Sequence, residues 1–366
     1  MNNQHLRQLR LRKFRSHENL DLKFDSNFIF FSGPNGIGKT NILEAISLFS
    51  PGRGLRFANI DELRSNSGSG NWNVFSEFEV ERELMEIEIG LDDSNKKAVR
   101  VDGKKKPLIY IGKILKIIWL TPVMDRLWTG SSYERRRFLD RMVMNFFPDH
   151  PRDCLLYEQA LRHRNQLFRD NQNDVAWFLA IEKQLAQIGC KIDSNRRKVI
   201  DILVKTYRSI GKAAFFPYLE MDLSPSKILN ANEFFDTLVI DRAKDRAAGR
   251  TLIGPHRSDL IVRHSSKNME AKYCSTGEQK ALLLSIFIAN ALAICNQFGK
   301  APIILLDEIV AHLDKDNQTN LFHQLRQIKA QIFATGTEKI SFKKLNLDPL
   351  FYELKLTGQG ISCLSY

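Results

Sequence analysis

Residues 33–40 read Gly33-Pro34-Asn35-Gly36-Ile37-Gly38-Lys39-Thr40, a glycine-rich segment between two segments of different periodicity. Before it, Phe28 to Phe31 form an unbroken apolar run, which is typical of a buried strand. After it, apolar residues recur at helical spacing from Ile42 to Phe49, until Pro51 and Gly52 end the pattern. The order of strand, glycine-rich loop and helix predicts an α/β fold.

The glycine-rich segment matches the Walker A pattern of phosphate-binding loops. Glycines let the backbone curl so that successive N–H groups point at phosphate oxygens, and the following helix N-terminus adds a favourable dipole. Lys39 is predicted to bridge the outer phosphates of a nucleotide and Thr40 to bind Mg²⁺ through its hydroxyl. The alternative is a glycine-rich turn that only connects two elements. The predicted nucleotide-binding set is Gly33, Pro34, Asn35, Gly36, Ile37, Gly38, Lys39, Thr40 and Asn41.

A second motif, Ile303-Ile304-Leu305-Leu306-Asp307-Glu308, is an apolar strand that ends in two carboxylates, as in a Walker B motif. A strand buried in a parallel sheet can deliver Asp307 to the Mg²⁺ ion, while Glu308 can polarise an attacking water. Glu308 and Lys39 are therefore the predicted catalytic residues. The alternative is a buried strand that reaches the surface at ordinary acidic residues.

The chain is basic, with 54 Lys and Arg against 42 Asp and Glu, a formal charge of +12. This charge makes a polyanionic partner such as DNA plausible, although a well-solvated basic surface is the simpler interpretation. Hydrophobic residues make up 43% and charged residues 26%, which predicts a soluble, folded protein. The basic residues cluster at Arg7, Arg10, Arg12, Lys13 and Arg15, at Lys104–Lys106, at Arg135–Arg137 and at Arg196–Lys198.

The cysteine spacing and the N-terminal sequence argue against export. The five cysteines form no close pair, which fits neither a disulfide framework nor a zinc site, so we expect reduced thiols. The basic N-terminus lacks the apolar core of a signal peptide. We also expect no apolar run near the roughly 20 residues of a membrane span. A cytoplasmic protein without membrane contact is predicted.

The middle of the chain is predicted to change from strands to helices. Alternating residues from Val74 to Ile118 predict a strand-rich layer, and apolar stripes predict helices at Tyr133–Phe147, Arg152–Arg169 and Asp174–Ile210. The last two form a predicted helical hairpin in a lobe inserted into the α/β body. Its charged residues are expected on a solvated outer face: Arg162, Arg164, Arg169, Arg196, Arg197 and Lys198.

Ser275-Thr276-Gly277-Glu278-Gln279, at the start of a predicted helix that ends near Phe298, resembles the S-x-G-x-Q signature of ABC-type ATPases. Ser275 and Glu278 also have the spacing of a helix capping box, and both interpretations can hold together. The resemblance implies that the signature contacts ATP held by a second protomer, which makes a homodimer with ATP. It further implies a D-loop role for Asp314. A γ-phosphate sensor role is expected for Thr335 or Thr337, where family members usually have a histidine.

Four segments resemble the RecF family of bacterial recombination mediators within this ATPase class: Phe14-Arg15, Thr40–Ala45, Arg135–Asp140 and Gly254–Leu260. No sustained heptad array or C-x-x-C hook lies between Thr40 and Ser275, which excludes the long coiled-coil relatives. Relatives place a loop that coordinates metal and water near Thr121–Asp125. This segment has no glutamine, so Asp125 is the candidate third residue at the metal.

The resemblance implies an ABC-type ATPase head with a mixed sheet, the phosphate loop and a flanking antiparallel layer, plus the helical lobe. Its expected segments are residues 1–130 and 251–366 for the ATPase and 131–250 for the lobe. ATP would close a homodimer clamp on DNA at single-stranded/double-stranded junctions, with RecO and RecR as partners. The clamp would help load RecA in recombinational repair and replication-fork maintenance, and weak, DNA-stimulated ATP hydrolysis would release it.

Two other functions are alternatives to this one. A nucleotide-gated scaffold of the same ATPase class would bind only protein partners, with DNA binding incidental. A metal-dependent nuclease fused to such an ATPase would require a further acidic domain after Glu308, for which few residues follow.

Overall fold

The computed structural model describes residues 4–65, 70–92, 94–211, 216–224, 230–308, 313–336, 349–357 and 360–365. The chain divides into two compact units, of which the first combines Met1–Asp125 with Ile286–Tyr366 and the second is Arg126–Ser285. The second unit is thus inserted in the sequence of the first. It is longer than the expected lobe, because residues 251–285 group with the helices and not with the ATPase segments.

The described residues form strands in both units. In chain order the strands are β1 Gln4–Phe14, β2 His17–Lys23, β3 Phe28–Ser32, β4 Asn73–Val80, β5 Glu83–Leu91, β6 Lys97–Val101, β7 Lys104–Lys105, β8 Ile117–Leu120, β9 Leu219–Ser224, β10 Asp259–His264, β11 Met269–Glu270, β12 Ile303–Leu306, β13 Ile332–Gly336, β14 Leu350–Thr357 and β15 Gly360–Ser365.

Helices connect these strands and make up most of the second unit. They are α1 Lys39–Ser47, α2 Leu108–Ile114, α3 Ser132–Phe146, α4 His150–Arg169, α5 Val175–Ser209, α6 Ala231–Ile240, α7 Arg242–Ala247, α8 Thr276–Phe298 and α9 Lys315–Ile328.

The first unit contains two six-stranded sheets that share one core with α1. The sheet that carries the predicted motifs has the order β15-β14-β3-β13-β12-β8, and its strands run parallel except for β15. The other sheet is antiparallel, in the order β2-β1-β4-β5-β6-β7. Alternate residues of β1, such as Leu9 and Leu11, pack with Ile42 of α1 and with Phe31 and Leu305 of the parallel sheet. The predicted fold class, a mixed sheet with a flanking antiparallel layer, is confirmed.

The predicted strand-rich layer contains one helix that alternation did not reveal. Pro107 is the N-cap residue of α2 and is still extended, with φ of −71° and ψ of 147°. Because proline has no N–H, it cannot continue the ladder of a strand, and the helix begins after it. Ile111 and Leu115 are buried at a spacing of four residues, which is the helical and not the strand period.

The second unit contains the predicted hairpin of α4 and α5, with α6 packed against it. Tyr157, Leu185 and Phe234 belong to its apolar core. Strands β11, β10 and β9 add a small antiparallel sheet in this order.

Two arginines expected on the solvated face of the lobe are buried, and that expectation was wrong for them. Arg164 is fully buried and its guanidinium donates to Glu182, Asp245 and Thr251 at 3.1, 2.6 and 2.8 Å. Arg196 is 4% exposed and pairs with Asp140. Both arginines lie on the buried stripes of their helices, and each cation can be buried there because carboxylates pair with it.

Helix α8 is the one helix among the described residues that is long and apolar enough to span a bilayer, contrary to the expectation that none would approach this length. Most of its apolar window, 72%, is buried inside the protein. Such burial is usual for a central core helix of a globular protein.

Candidate functional site

The glycine-rich loop joins β3 to α1 in a conformation that requires glycine. Gly36 and Gly38 have φ angles of +80° and +103°, in the left-handed region that L side chains rarely adopt. At Gly38 a Cβ would also overlap the Ser16 hydroxyl and lie 2.8 Å from Nε2 of His17. The loop can therefore turn its backbone N–H groups inward ahead of α1.

Lys39 lies in the concave side of this loop. Its side chain is 3% exposed, and its Nζ donates hydrogen bonds to the carbonyl oxygens of Gly33 and Pro34 at 2.7 and 3.0 Å. The same Nζ lies 3.8 Å from Oε1 of Glu308. Burial lowers the pKa of the Lys39 ammonium, and the Glu308 and Asp307 carboxylates oppose that shift. The ammonium is thus aimed at the position where the loop would receive phosphate oxygens.

The two predicted magnesium ligands of the two motifs are in direct contact. The Thr40 hydroxyl donates to Oδ1 of Asp307 at 2.8 Å. Thr335 at the end of β13 donates to the same oxygen at 2.9 Å, and its own hydroxyl accepts the N–H of Glu308 at 2.9 Å. Parallel pairing of β3, β13 and β12 brings these strand ends to one edge. Oxygen donors of this kind suit Mg²⁺, so the residues present fit such an ion.

Glu308 follows the buried strand β12 with a φ of +51°, which is uncommon for a residue with a side chain. Its side chain is 33% exposed, whereas the neighbouring Asp307 is buried. The turn therefore separates the two carboxylates: Asp307 faces Thr40, and Glu308 reaches Lys39 and solvent.

A turn before the loop, which sequence analysis did not identify as part of the site, rests directly on it. His17 is 1% exposed, and its Nε2–H donates to the carbonyl oxygen of Gly38 at 3.1 Å. Ser16 accepts a hydrogen bond from Asn41 at 2.7 Å. Burial lowers the pKa of His17, so the ring is neutral and this tautomer is fixed by the carbonyl acceptor.

The same turn is tied to α1 by an ion pair. Arg15, with a φ of +53°, donates through Nε and Nη2 to the two carboxylate oxygens of Glu44 at 2.9 and 2.7 Å. Arg56 adds bonds to Glu44 and Asn41. The Glu44 side chain has no exposed surface, so the bidentate pair fixes where the turn meets the helix.

Three further predicted site residues lie elsewhere. Asp125 is in the short 3₁₀ turn Pro122–Arg126, just beyond the end of β8, the strand beside β12. Asp314 is the N-cap of α9, where its side chain accepts the N–H of Asn317 at 2.9 Å. Thr337 lies outside the described residues.

The signature segment begins α8 in the second unit. Ser275 and Glu278 form the predicted capping box: the Ser275 N–H donates to Glu278 at 2.9 Å, and the Glu278 N–H to the Ser275 hydroxyl at 3.5 Å. A contact with Lys267, together with Ser275, lowers the pKa of Glu278 to about 2. Gln279 is held by Trp128, whose Nε1–H donates to its carbonyl at 2.9 Å. Thr276 and Gly277 are exposed.

The chain is similar in sequence to known proteins over nearly its whole length. The family described as RecF/RecN/SMC N terminal domain matches residues 5–352. A DNA replication and repair protein RecF from Rhizobium rhizogenes is 38% identical over 362 residues, which is 96% of each chain. Another, from Mesorhizobium japonicum, is 40% identical over 354 residues and 93% of each chain.

The chain belongs to the RecF family.

Solved structures agree at the level of the fold. A recombination mediator protein RecF-ATPrS in the RecFOR pathway superposes with a TM-score of 0.84 and 21% identity, over 97% of both chains. An Smc head domain from Pyrococcus furiosus gives 0.56 and 16%, over 99% of this chain and 96% of its own. The resemblance to RecF inferred from four segments is confirmed.

Two of those RecF-like segments form one internal network in the second unit. Arg135 donates to both carboxylate oxygens of Asp259 at 2.7 and 2.8 Å. Arg196 does the same to Asp140 at 2.7 and 2.8 Å and also donates to the Pro255 carbonyl at 2.7 Å. In this RecF-family chain, Arg135 and Arg196 therefore support the fold and present little charge to a polyanion.

Proposed function

We propose that this RecF-family protein is an ATP-dependent DNA-binding protein that acts in recombinational repair of gapped DNA and in replication-fork maintenance. The observation that carries the proposal is the contact of Thr40 with Asp307, beside the pair of Lys39 and Glu308. Phosphate-loop and acidic motifs converge on one edge of a sheet, as nucleotide hydrolysis requires. Solved RecF structures described with ATP and ATPrS support ATP as the nucleotide.

Different side chains of this site would bind the phosphates, hold the metal ion and activate the attacking water. Lys39 and the N–H groups of Gly33–Thr40 would bind the phosphates. Thr40 and Asp307, with Asp125 as a third candidate, would hold Mg²⁺, which when bound neutralises charge on the phosphate oxygens. Glu308 would accept a proton from the attacking water. Thr335 would position the Asp307 carboxylate and the backbone of Glu308 through its hydroxyl. Its role as γ-phosphate sensor, like that of Thr337, is a prediction.

ATP would also join two copies of the chain. Thr276 and Gly277 stand exposed at the start of a helix of 23 residues, whose first N–H groups have no partner within the helix. Such a helix end attracts anions, so the signature would contact the γ-phosphate bound by a second protomer. Asp314 would approach the same interface from its cap position.

The closed dimer would bind DNA. A formal charge of +12 favours sequence-independent contacts with phosphates, which weaken steeply with salt. We further propose a preference for single-stranded/double-stranded junctions, RecO and RecR as partners, and assistance in loading RecA. Weak, DNA-stimulated hydrolysis would open the clamp in the cytoplasm.

Filter binding of gapped DNA, with and without ATP and Mg²⁺, tests the proposal. We expect retention of DNA at lower protein concentration when ATP is present, and loss of retention as salt is raised. Equal affinity in both conditions would contradict the switch. A protein that never retains DNA would favour the scaffold that binds only protein partners.

A further inference from the structure

The solvent-facing side of the antiparallel sheet carries a cleft of about 470 Å³ between β1, β2, β4 and β5. This volume lies within the range of small-molecule and nucleotide sites. The opposite side of the same strands packs in the core, so the outer side needs no apolar residues for stability. Stability of the sheet therefore does not explain why this cleft is lined by an aromatic ring and by basic side chains.

An aromatic ring and a guanidinium form the floor of this cleft. Phe75 lies between the buried residues Val74 and Ser76, so the strand alternation places its ring on the outer face. Arg10 is its cross-strand neighbour, and the guanidinium carbon lies 4.4 Å from the ring centroid. The Arg10 side chain keeps 43% of its surface exposed. Stacked guanidinium and aromatic planes are surfaces on which unpaired bases stack.

Cations form one rim of the cleft. Arg12 is exposed, and among the described residues its guanidinium has no hydrogen-bond or ion-pair partner. Lys13 follows it, still within β1, with a φ of +48°. The Glu88 carboxylate in the lining is already engaged by Asn73 and by Arg100, the latter at 3.6 Å. The lining holds three cations, Arg10, Arg12 and Lys13, against the two carboxylates of Glu18 and Glu88, so it keeps one positive charge in excess for a phosphate.

We propose that this cleft binds one nucleotide of single-stranded DNA. Arg12 and Lys13 hold the phosphate, and the base stacks on the paired planes of Arg10 and Phe75. The bases of a duplex are stacked on one another and cannot offer a free face, so the site takes the unpaired strand. This inference rests on the proposed DNA-binding function and assigns the single-stranded side of a junction to a named surface.

Fluorescence anisotropy of the full-length protein with ATP and Mg²⁺ tests the cleft. The probes are a labelled oligothymidylate, an abasic oligonucleotide of the same length, and a blunt duplex. The variants are Phe75→Leu, Phe75→Tyr and Arg12→Gln, with Lys104→Gln as the matched control, since Lys104 lies on β7 of the same sheet outside the cleft. Thermal melting of each variant checks folding.

We expect Phe75→Leu to weaken oligothymidylate binding at least about fivefold, toward the abasic level, because one stacked base contributes about 1–3 kcal/mol. Phe75→Tyr keeps the ring and should keep the affinity, so the test stands even if the leucine variant folds poorly. Arg12→Gln should weaken both single strands and reduce the salt slope by about 0.7. Lys104→Gln should match the wild type.

The proposal is overturned if wild-type protein binds DNA but Phe75→Leu and Arg12→Gln bind oligothymidylate equally well; the proposed function would then survive. It is also overturned if Phe75→Leu weakens the duplex and the oligothymidylate by the same factor. Wild-type protein that binds none of the three probes with ATP defeats the proposed function and the cleft together.

Discussion

The Lys39 ammonium lies 3.8 Å from Oε1 of Glu308, so the predicted phosphate-binding cation and the predicted base form an ion pair. An incoming phosphate competes with this carboxylate for the ammonium, because charge-assisted contacts to either anion are similar in kind. Nucleotide binding would thereby release the Glu308 carboxylate from Lys39, so that it could accept a hydrogen bond from the attacking water. The pair would couple nucleotide binding at the loop to activation of the attacking water.

Replacing Glu308 with glutamine should trap the ATP-bound dimer. The amide keeps the shape of the side chain but cannot accept a proton, so hydrolysis should fall at least about 100-fold. Sedimentation with ATP and Mg²⁺ should show a dimer that persists, whereas the wild type reverts as ATP is consumed. A variant that stays monomeric would contradict the composite site.

Thr335→Val should damage both stability and hydrolysis, because it leaves the Glu308 N–H without its partner and removes one of the two hydroxyl donors to Oδ1 of Asp307. Loss of such partners costs about 1–3 kcal/mol of unfolding free energy, measurable by urea denaturation. Thr335→Ser keeps the hydroxyl and serves as the control. If valine and serine variants hydrolyse ATP equally, the hydroxyl does not position Asp307 and the Glu308 backbone.

His17→Leu should weaken ATP binding about fivefold, the effect of losing one hydrogen bond of about 1 kcal/mol to the phosphate loop. Titration with a fluorescent ATP analogue measures this affinity. His17→Gln retains an amide donor for the Gly38 carbonyl and should bind nearly as well as the wild type. Equal affinity of the leucine variant would mean that the turn does not shape the loop.

Gly277→Asp should fold normally but fail to dimerise with ATP. A Cβ at Gly277 would meet no atom within 4 Å, and an acidic residue in the first turn suits the helix dipole. In the dimer, however, the carboxylate would face a γ-phosphate and repel it, lowering dimer affinity at least about tenfold. Light scattering with ATP measures this. Dimerisation equal to that of Gly277→Ala would refute the role of the signature.

Acid should destabilise the second unit through His256. Tyr157 donates to its Nδ1 at 2.9 Å and its Nε2–H donates to the Thr251 carbonyl at 3.2 Å, so the neutral ring is required. Burial lowers the pKa of His256 to about 4 from an ordinary 6.5. Between pH 4 and 6.5, the imidazole of His256 is therefore protonated in the unfolded chain but neutral in the folded protein. Unfolding free energy should therefore fall as pH drops from 6.5 to 4, by up to about 1.4 kcal/mol per pH unit.

Urea denaturation at several pH values measures this dependence, with His256→Gln as the reference because other buried groups also titrate. The difference in slope between the two proteins isolates the histidine. Parallel slopes would show that His256 does not carry the effect.

Local patterns predicted the elements that hold the nucleotide motifs. Glycine spacing located the loop before α1, and unbroken apolar runs located β3 and β12, since these signals are short-range and periodic. The long helices α4, α5 and α8 were also predicted within a few residues of their ends.

Contacts between distant residues were not predictable in the same way. Nothing periodic links His17 to Gly38 or Arg15 to Glu44, although Phe14-Arg15 had been noted as a RecF-like segment. Arg164 lies on the buried stripe of α4 with Tyr157 and Ala160, so its helical phase agrees with its burial. The sequence does not show that the carboxylates of Glu182 and Asp245 pair with it there. Such pairings depend on tertiary structure, which one sequence does not display.

The turn after β1 has a thermodynamic consequence. It joins the strand that bears Arg10 and Arg12 to the backbone carbonyl of Gly38, so one turn would connect the proposed DNA-binding cleft to the phosphate loop. Thermodynamic linkage is reciprocal. If ATP changes the affinity of the protein for a polynucleotide by some factor, the polynucleotide must change the affinity for ATP by the same factor. A gap in DNA would then act as an effector of the nucleotide site, and the length of exposed strand would set how long ATP stays bound.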